Sequence, residues 1–437
     1  MPDVTLGRHA APPRTVPATD RVRPVGEVPP WWRHLRARLV APWIWIALWL
    51  VSRAWILHQY DEKYTFINSD VNYYLWWLTG DRRIQDTLVE YPQPVVWFLD
   101  ALTLLGKDQN TYMLAFAGSM ALLDAVFSWA LWRRGTLRAL LFWIAFVSAF
   151  GALIWFRYDM LPAFVVGVAA LVVSRHPAVA GALVALGGGL KLWPAMLIAP
   201  LAGRSRPAIT RLVAFGITGL ALAGLAFLQG GWGRLVSPLT WQSDRGLQVE
   251  SIPASWLMWQ RATGDAATWK VEMSKYNAFE IFGPGIETWM LLSDIVMLLA
   301  IVSAIGMVVV ALVRKQMPAD LLALCMTSIV LAMIVANKTL SPQYLLWLGT
   351  PVAALLSLSR TPSMRRRAHL LAGATLLAGY LTHLVYPVYY GHIIGETPQM
   401  AATGMMVGRN LLLVAMMVLA SLWAWDDLTA PPESEHA

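Results

Sequence analysis

Gly187-Gly188-Gly189-Leu190-Lys191-Leu192-Trp193-Pro194 sits inside an apolar run, residues 178–202, whose two flanks carry charge of one sign. Arg175 precedes the run, and Arg204, Arg206 and Arg211 follow it. Loops rich in Lys and Arg stay on the cytoplasmic side of a membrane, so both flanks read as cytoplasmic. The chain must then return to the side it left. Crossing a bilayer core takes roughly 20 helical residues, and here 25 residues are divided by the glycines and by Trp193-Pro194. The stretch predicts a broken, re-entrant helical pair with Lys191 at its tip. Non-helical backbone at that depth is tolerated where it lines a cavity.

Working outward, the chain of 437 residues is 57% hydrophobic and only 14% charged, with a mean hydropathy of +0.52. A soluble protein would carry about a quarter charged residues. The composition therefore predicts an all-α polytopic membrane protein. The net charge of +8 follows from cations kept in cytoplasmic loops and needs no nucleic-acid partner. Spans are expected at 41–58, 111–132, 138–156, 159–174, 208–228, 289–313, 319–336, 343–358, 367–388 and 403–424, a bundle of about ten full spans plus the broken pair.

Cationic breaks at Arg133-Arg134, Arg138, Arg175, Arg314-Lys315 and Arg365-Arg366-Arg367 fall inside; Arg157-Tyr158-Asp159 and Asn337-Lys338 fall outside. Two large exoplasmic loops result, 59–110 and 229–288, expected to carry short interfacial helices, one of them at 94–105. Residues 1–38, rich in Pro and Arg, read as a disordered cytoplasmic tail and not as a cleavable signal. Residues 39–425 form the membrane-embedded domain, and 426–437 an acidic cytoplasmic tail. The single Cys325 forms no intramolecular disulfide, and the eight histidines show no metal-ligand spacing. His383 and His392 read as packing or loop residues. Most of the 23 tryptophans fit interfacial belts.

The residues with chemical potential gather at exoplasmic ends. Asp70, in Asn68-Ser69-Asp70-Val71-Asn72-Tyr73-Tyr74, sets a carboxylate among aromatic and amide groups just outside the first span. It is either a general base or a solvated acid capping a helix. Glu90-Tyr91-Pro92-Gln93-Pro94 closes the same loop with restricted backbone, or simply starts a helix. Arg157 and Asp159 either pair with one another or face a cavity. Lys191 is a costly ammonium in an apolar run, which points to a partner: a lipid phosphate, or Asp159. Lys338 can snorkel outward, while Gln343 and Tyr344 can hydrogen-bond into a cavity. Arg245 and Glu250 form a loop salt bridge or hold phosphate and sugar.

Taken together, Asp70-Val71-Asn72-Tyr73-Tyr74 with Tyr91-Pro92, Arg157-Tyr158-Asp159, Lys191-Leu192-Trp193-Pro194 and Ser341-Pro342-Gln343-Tyr344-Leu345-Leu346-Trp347 resemble the actinobacterial members of glycosyltransferase family 87, within the GT-C superfamily. The stretch Arg245–Ser251 supports the match, which runs from about residue 41 to 424. The resemblance implies a GT-C-like helical bundle and a polyprenyl-phosphate sugar donor, usually polyprenyl-phosphate mannose, used on the exoplasmic face of the plasma membrane. It implies transfer with inversion, Asp70 as catalytic base, and donor phosphate held by motif residues near the cavity, a role that suits Lys338 and, by their cation chemistry, Lys191 and Arg245. Tyr73, Tyr74, Glu90, Tyr91, Arg157, Asp159, Glu250, Gln343 and Tyr344 would line the substrate cavity. The acceptor would be lipid-linked or a glycan, of the phosphatidylinositol mannoside or lipomannan type. No cofactor is expected, although Asp70 with Asp159 or Glu90 has the chemistry to hold a divalent cation. Many relatives carry Tyr-Pro-Pro where this chain has Tyr91-Pro92-Gln93-Pro94, a departure that bears on acceptor and sugar. The same scaffold using arabinofuranose is one alternative. A secondary transporter is another, although the broken pair has no counterpart in 289–424.

Overall fold

The computed structural model describes residues 41–134, 136–314 and 317–430. The expected tail 1–38, the end of the tail from 431 and Lys315 lie outside the described residues. The chain divides after Trp45; of the first unit only 41–45 are described, and apart from the first residues of the first helix everything discussed below lies in the second, Ile46–Ala437. The architecture is helical, and the long apolar helices make the chain an all-α membrane protein.

The helices are α1 (Pro42–Lys63), α2 (Ser69–Leu78), α3 (Gln93–Leu102), α4 (Gln109–Arg133), α5 (Leu137–Phe150), α6 (Met160–Val172) and α7 (Pro177–Leu190). They continue with α8 (Arg206–Ser243), α9 (Ser255–Thr263), α10 (Ile286–Val313), α11 (Ala319–Val335), α12 (Leu345–Leu358), α13 (Pro362–His383) and α14 (Met400–Thr429). Their starts are written locally. Asp108, Ser205 and Thr361 accept hydrogen bonds from the backbone N–H groups of Thr111, Ala208 and Met364, capping α4, α8 and α13. Pro207 and Pro362 occupy first-turn positions where no N–H is missed. At the core, α7 packs on α6 and α8, while α12 packs on α6 and α11.

Five described helices are long and apolar enough to cross a membrane: Gln109–Arg133, Arg206–Gln242, Ile286–Val313, Pro362–Val388 and Met400–Thr429. Four of the other expected spans are shorter helices: α5 and α12 have 14 residues, α6 has 13 and α11 has 17. These four fall short of the roughly 20 residues that a straight helical crossing needs. Gly151, with φ of 80°, ends α5 early, because the left-handed region is open to glycine and terminates a helix.

The broken pair is present in altered form. Helix α7 runs through Gly187–Gly189 without interruption and stops at Lys191, whose backbone is extended. A tight 3₁₀ segment, Trp193–Leu197, and one α-turn, Ile198–Leu201, bring the chain back. The glycines do not break the helix; they let the returning limb lie against it. A Cβ on Gly187 would meet Pro194 at 2.9 Å, and one on Gly188 would meet Ala195 at 3.0 Å. The break falls at Lys191, whose backbone is extended, and Pro194 stands in the first turn of the 3₁₀ segment that follows, where its missing N–H costs nothing. A 14-residue helix is about 21 Å long, short of a bilayer core.

The second loop begins close to its expected start. The long helix is broken at Gly231, where φ is 68°, and a further helical stretch runs on to Ser243. Beyond that kink, Arg234 donates to the carbonyl of Tyr91 at 2.8 Å and Ser237 to that of Val89 at 2.7 Å. Docking on the first loop keeps this half helical. Further on, strands β1 (Lys270–Met273) and β2 (Phe279–Phe282) form an antiparallel hairpin, where only helices had been expected. Most of the stretch 94–105 forms a helix, α3, whose Val95, Val96, Leu99 and Leu102 are buried; it packs on α4, α7 and α8. Helix α14 outruns the expected 403–424 to Thr429, and Arg367 pairs with Asp427 at 2.8 Å at that end.

Candidate active site

A cavity of about 960 Å³ opens among α2, the Arg157–Asp159 junction, the tip of the broken pair, the loop after α8 and the turn before α12. All thirteen site candidates named from the sequence line it. His383 and His392 do not.

Asp70 is placed by a short 3₁₀ turn, Thr65–Asn68, that feeds directly into α2. Asn68 occupies the cap position, so Asp70 stands within the first turn with its side chain free of the capping role. Its carboxylate is about a quarter exposed, at 26%, which leaves it reachable from the cavity. Arg157 Nε lies 3.1 Å from Oδ2, yet among the described residues that N–H makes no aligned hydrogen bond. The arginine instead donates from Nη1 to the carbonyls of Ile67 at 2.8 Å and Phe156 at 2.9 Å. Asp70 thus has a fixed counter-charge without having its lone pairs consumed. Desolvation pushes its pKa up, Arg157 pulls it back, and Asp159 adds to the rise.

Across from it, the Tyr73 hydroxyl donates to Glu90 Oε1 at 2.7 Å. Burial raises the Glu90 carboxyl, opposed by that hydrogen bond. Tyr91 meets Tyr74 and Tyr158 edge-on, with ring centres 5.7 and 5.2 Å apart, a geometry that favours contact between electron-poor edge and electron-rich face. These rings form the wall that holds α2 against the Arg157–Asp159 junction.

Arg157 and Asp159 do not pair with one another. Asp159 takes the Lys191 ammonium at 2.6 Å and the Trp347 indole N–H at 2.7 Å, both on Oδ1. The ammonium is further enclosed by the rings of Tyr158, Tyr344 and Trp347, 4.6–5.0 Å from its nitrogen. Tyr344 stacks on Trp347 at 3.9 Å and Trp193 stacks at 4.9 Å. Tyr344 therefore contributes its ring face to the site, while Gln343 lines the cavity beside it.

In the loop after α8, Arg245 lies over Tyr276 at 5.9 Å, and its Nε is buried without a hydrogen-bond partner among the described residues. It does not bridge to Glu250. That carboxylate pairs with Arg409 of α14 at 2.8 Å, fully buried. Arg409 and Asn410 also donate to the Glu250 carbonyl, at 2.9 and 3.1 Å. The Gln248 N–H donates to the carbonyl of Lys338 at 3.0 Å, and its side-chain amide to Ser341 Oγ at 3.1 Å. One network thus locks the Arg245–Ser251 stretch to the Lys338–Ser341 turn. Sequence reasoning missed Arg409, although a charged residue deep in an apolar run was the available signal. It also missed Tyr386 and Tyr390, which line the cavity without any motif to flag them.

No cluster of three or more His, Cys, Asp or Glu side chains suited to a cation occurs among the described residues. No curated protein and no solved structure matches the chain. The family model described as glycosyltransferase family 87 matches residues 90–337, more than half of the chain. The match takes in Glu90, Arg157, Asp159, Lys191, Arg245 and Glu250, and stops short of Asp70 on one side and Lys338 on the other. With its long apolar helices and a cavity built from those residues, the chain belongs to glycosyltransferase family 87.

Proposed function

We propose that the chain transfers mannose from a polyprenyl-phosphate donor to a lipid-linked or glycan acceptor, with inversion, on the exoplasmic face of the plasma membrane. Both termini are then cytoplasmic. Asp70 takes the proton of the acceptor hydroxyl as that oxygen attacks the anomeric carbon. The bond from that carbon to the phosphate oxygen breaks, and polyprenyl phosphate leaves with the electron pair. Lys191, Arg245 and Lys338 surround the position of the leaving phosphate, where positive charge is most effective in a water-poor site. The observation that carries this reading is the Asp70–Arg157 pair: a carboxylate with a counter-charge but, among the described residues, no aligned donor, open to a cavity that Lys191, Arg245, Lys275 and Lys338 also line. Since Asp70 and Asp159 each already face a cation of the chain, the mechanism requires no divalent ion, and activity should persist in chelator.

The test uses purified protein in lipid with radiolabelled polyprenyl-phosphate mannose and a mannolipid extract. Wild type should transfer label, and Asp70→Asn should lose about a hundred- to ten-thousandfold while keeping its elution profile. Equal transfer by both would remove Asp70 as base. A donor panel differing only in sugar tests mannose itself, and turnover of arabinofuranose alone would displace it.

A further inference from the structure

Glu250 is held in a way that a purely structural salt bridge does not need. Its Oε2 accepts from Arg409 Nη1 at 2.8 Å, and Arg409 and Asn410 also bind its main-chain carbonyl. The side chain is 1% exposed, and the arginine is fully buried. The second carboxylate oxygen, Oε1, is buried with no hydrogen-bond partner among the described residues. A buried, unmatched carboxylate oxygen is costly, and most such atoms in proteins are met by a partner. Glu250 also lines the cavity, beside Gln248, Tyr386 and Tyr390, in the space that Asp70 and Arg157 share. One oxygen is fixed and the other awaits a donor.

We infer that Glu250 Oε1 accepts a hydrogen bond from a sugar hydroxyl of the bound substrate, so that the Arg409-clamped carboxylate sets which sugar the cavity takes. An acceptor-only group suits a hydroxyl, which can donate, and repels a phosphate, which at neutral pH is anionic. The cationic side of the cavity is therefore left to the phosphate and the Glu250 side to a sugar ring. Arg409 is a positioning residue here: it holds the carboxylate at one angle, and discrimination between sugars depends on that rigidity. The hydroxyl belongs to the donor sugar or to the acceptor sugar. The inference rests on the transfer reaction proposed above.

The experiment measures initial rates for wild type, Glu250→Gln and Glu250→Asp. The donors are polyprenyl-phosphate mannose and its analogues deoxygenated singly at each ring position. The acceptors are octyl mannoside and its matching deoxygenated set. Wild type should lose about ten- to a hundredfold in kcat/KM on one analogue, the one lacking the bonded hydroxyl. Glu250→Gln should fall by a similar factor on the parent sugar and show no further loss on that analogue. The set in which this collapse occurs, donor or acceptor, identifies the source of the hydroxyl. Glu250→Asp keeps the charge but withdraws the oxygen, and should lose selectively on the same pair even if the glutamine variant does not fold. A loss spread evenly over every analogue would overturn the inference and leave Glu250 a packing residue or a water ligand. No transfer by wild type from any mannosyl donor would instead overturn the reaction on which the inference stands.

Discussion

Asp70 sits between two opposing influences that can be separated by substitution. Burial lifts its pKa, Arg157 and Lys191 lower it, and Asp159 raises it. A base acts while deprotonated, so transfer should fall as pH falls through that pKa, and the acid limb should lie above the ordinary aspartate value of about 3.9. Arg157→Met removes a cation that favours the charged form, and the limb should move to higher pH. Asp159→Asn removes a repelling carboxylate and releases Lys191, so the limb should move to lower pH. Profiles of kcat/KM against pH for the two variants check this; shifts in the same direction would show that Asp70 is not the titrating base. At this scale the sequence was most informative where charge stood against its surroundings. Asp70, Arg157, Asp159 and Lys191 were legible for that reason, and so was the choice of Asp159 or a phosphate as the partner of Lys191. The partner of Glu250 was not legible, because Arg409 lies 159 residues away and nothing local in either stretch encodes the pairing.

The broken pair carries Lys191 to the cavity, and its geometry depends on the contact between its two limbs. Replacing Gly188 by Val puts a side chain where a Cβ alone would stand 3.0 Å from Ala195. Overpacking of this kind costs about 1–3 kcal/mol. The returning limb, and Lys191 with it, should shift away from Asp159. Transfer should drop several-fold, with a lower thermal midpoint in detergent. Gly216→Ala, in α8 where a Cβ meets nothing within 4 Å, is the control and should leave both unchanged. Like charge on both flanks made the return of the chain readable, because sidedness is a property of composition. The place of the break was less readable, since glycines inside an apolar helix can serve close packing as well as interruption. The continuation of α8 past Gly231 and the β1–β2 hairpin were hidden for another reason. Both depend on docking, α8 through Arg234 and Ser237 onto the first loop and the hairpin through a pairing of Gln248 with Glu280, and short segments of mixed polarity do not declare strand or helix by period.

Three helices that contribute no residue to the cavity lining are joined by a second charged group, which takes no part in the proposed chemistry. Arg53 of α1 binds Asp124 of α4 in a two-pronged fashion, Nε to Oδ2 and Nη2 to Oδ1, each at 2.8 Å. Trp49 and Trp143 donate their indole N–H groups to the same carboxylate at 3.0 and 2.8 Å, and Arg53 also donates to the Ile144 carbonyl at 3.1 Å. Three helices, α1, α4 and α5, meet at one carboxylate whose side chain is wholly buried. None of Trp49, Arg53, Asp124 and Trp143 lines the cavity, which separates stability from catalysis. Removing one partner of a buried pair strands the other, at a cost of about 3–5 kcal/mol, whereas replacing both with apolar groups is often neutral. Asp124→Ala should therefore lower the thermal midpoint markedly, while the fraction that remains folded keeps the wild-type KM. The double variant Arg53→Leu with Asp124→Leu should recover most of the lost midpoint, because no unpaired charge remains in the apolar interior. Thermal unfolding in detergent, followed alongside initial rates at a temperature where all variants are folded, checks both parts. A single variant with an unchanged midpoint would mean that this cluster does not hold the three helices together, and a raised KM with an intact midpoint would mean that it communicates with the cavity.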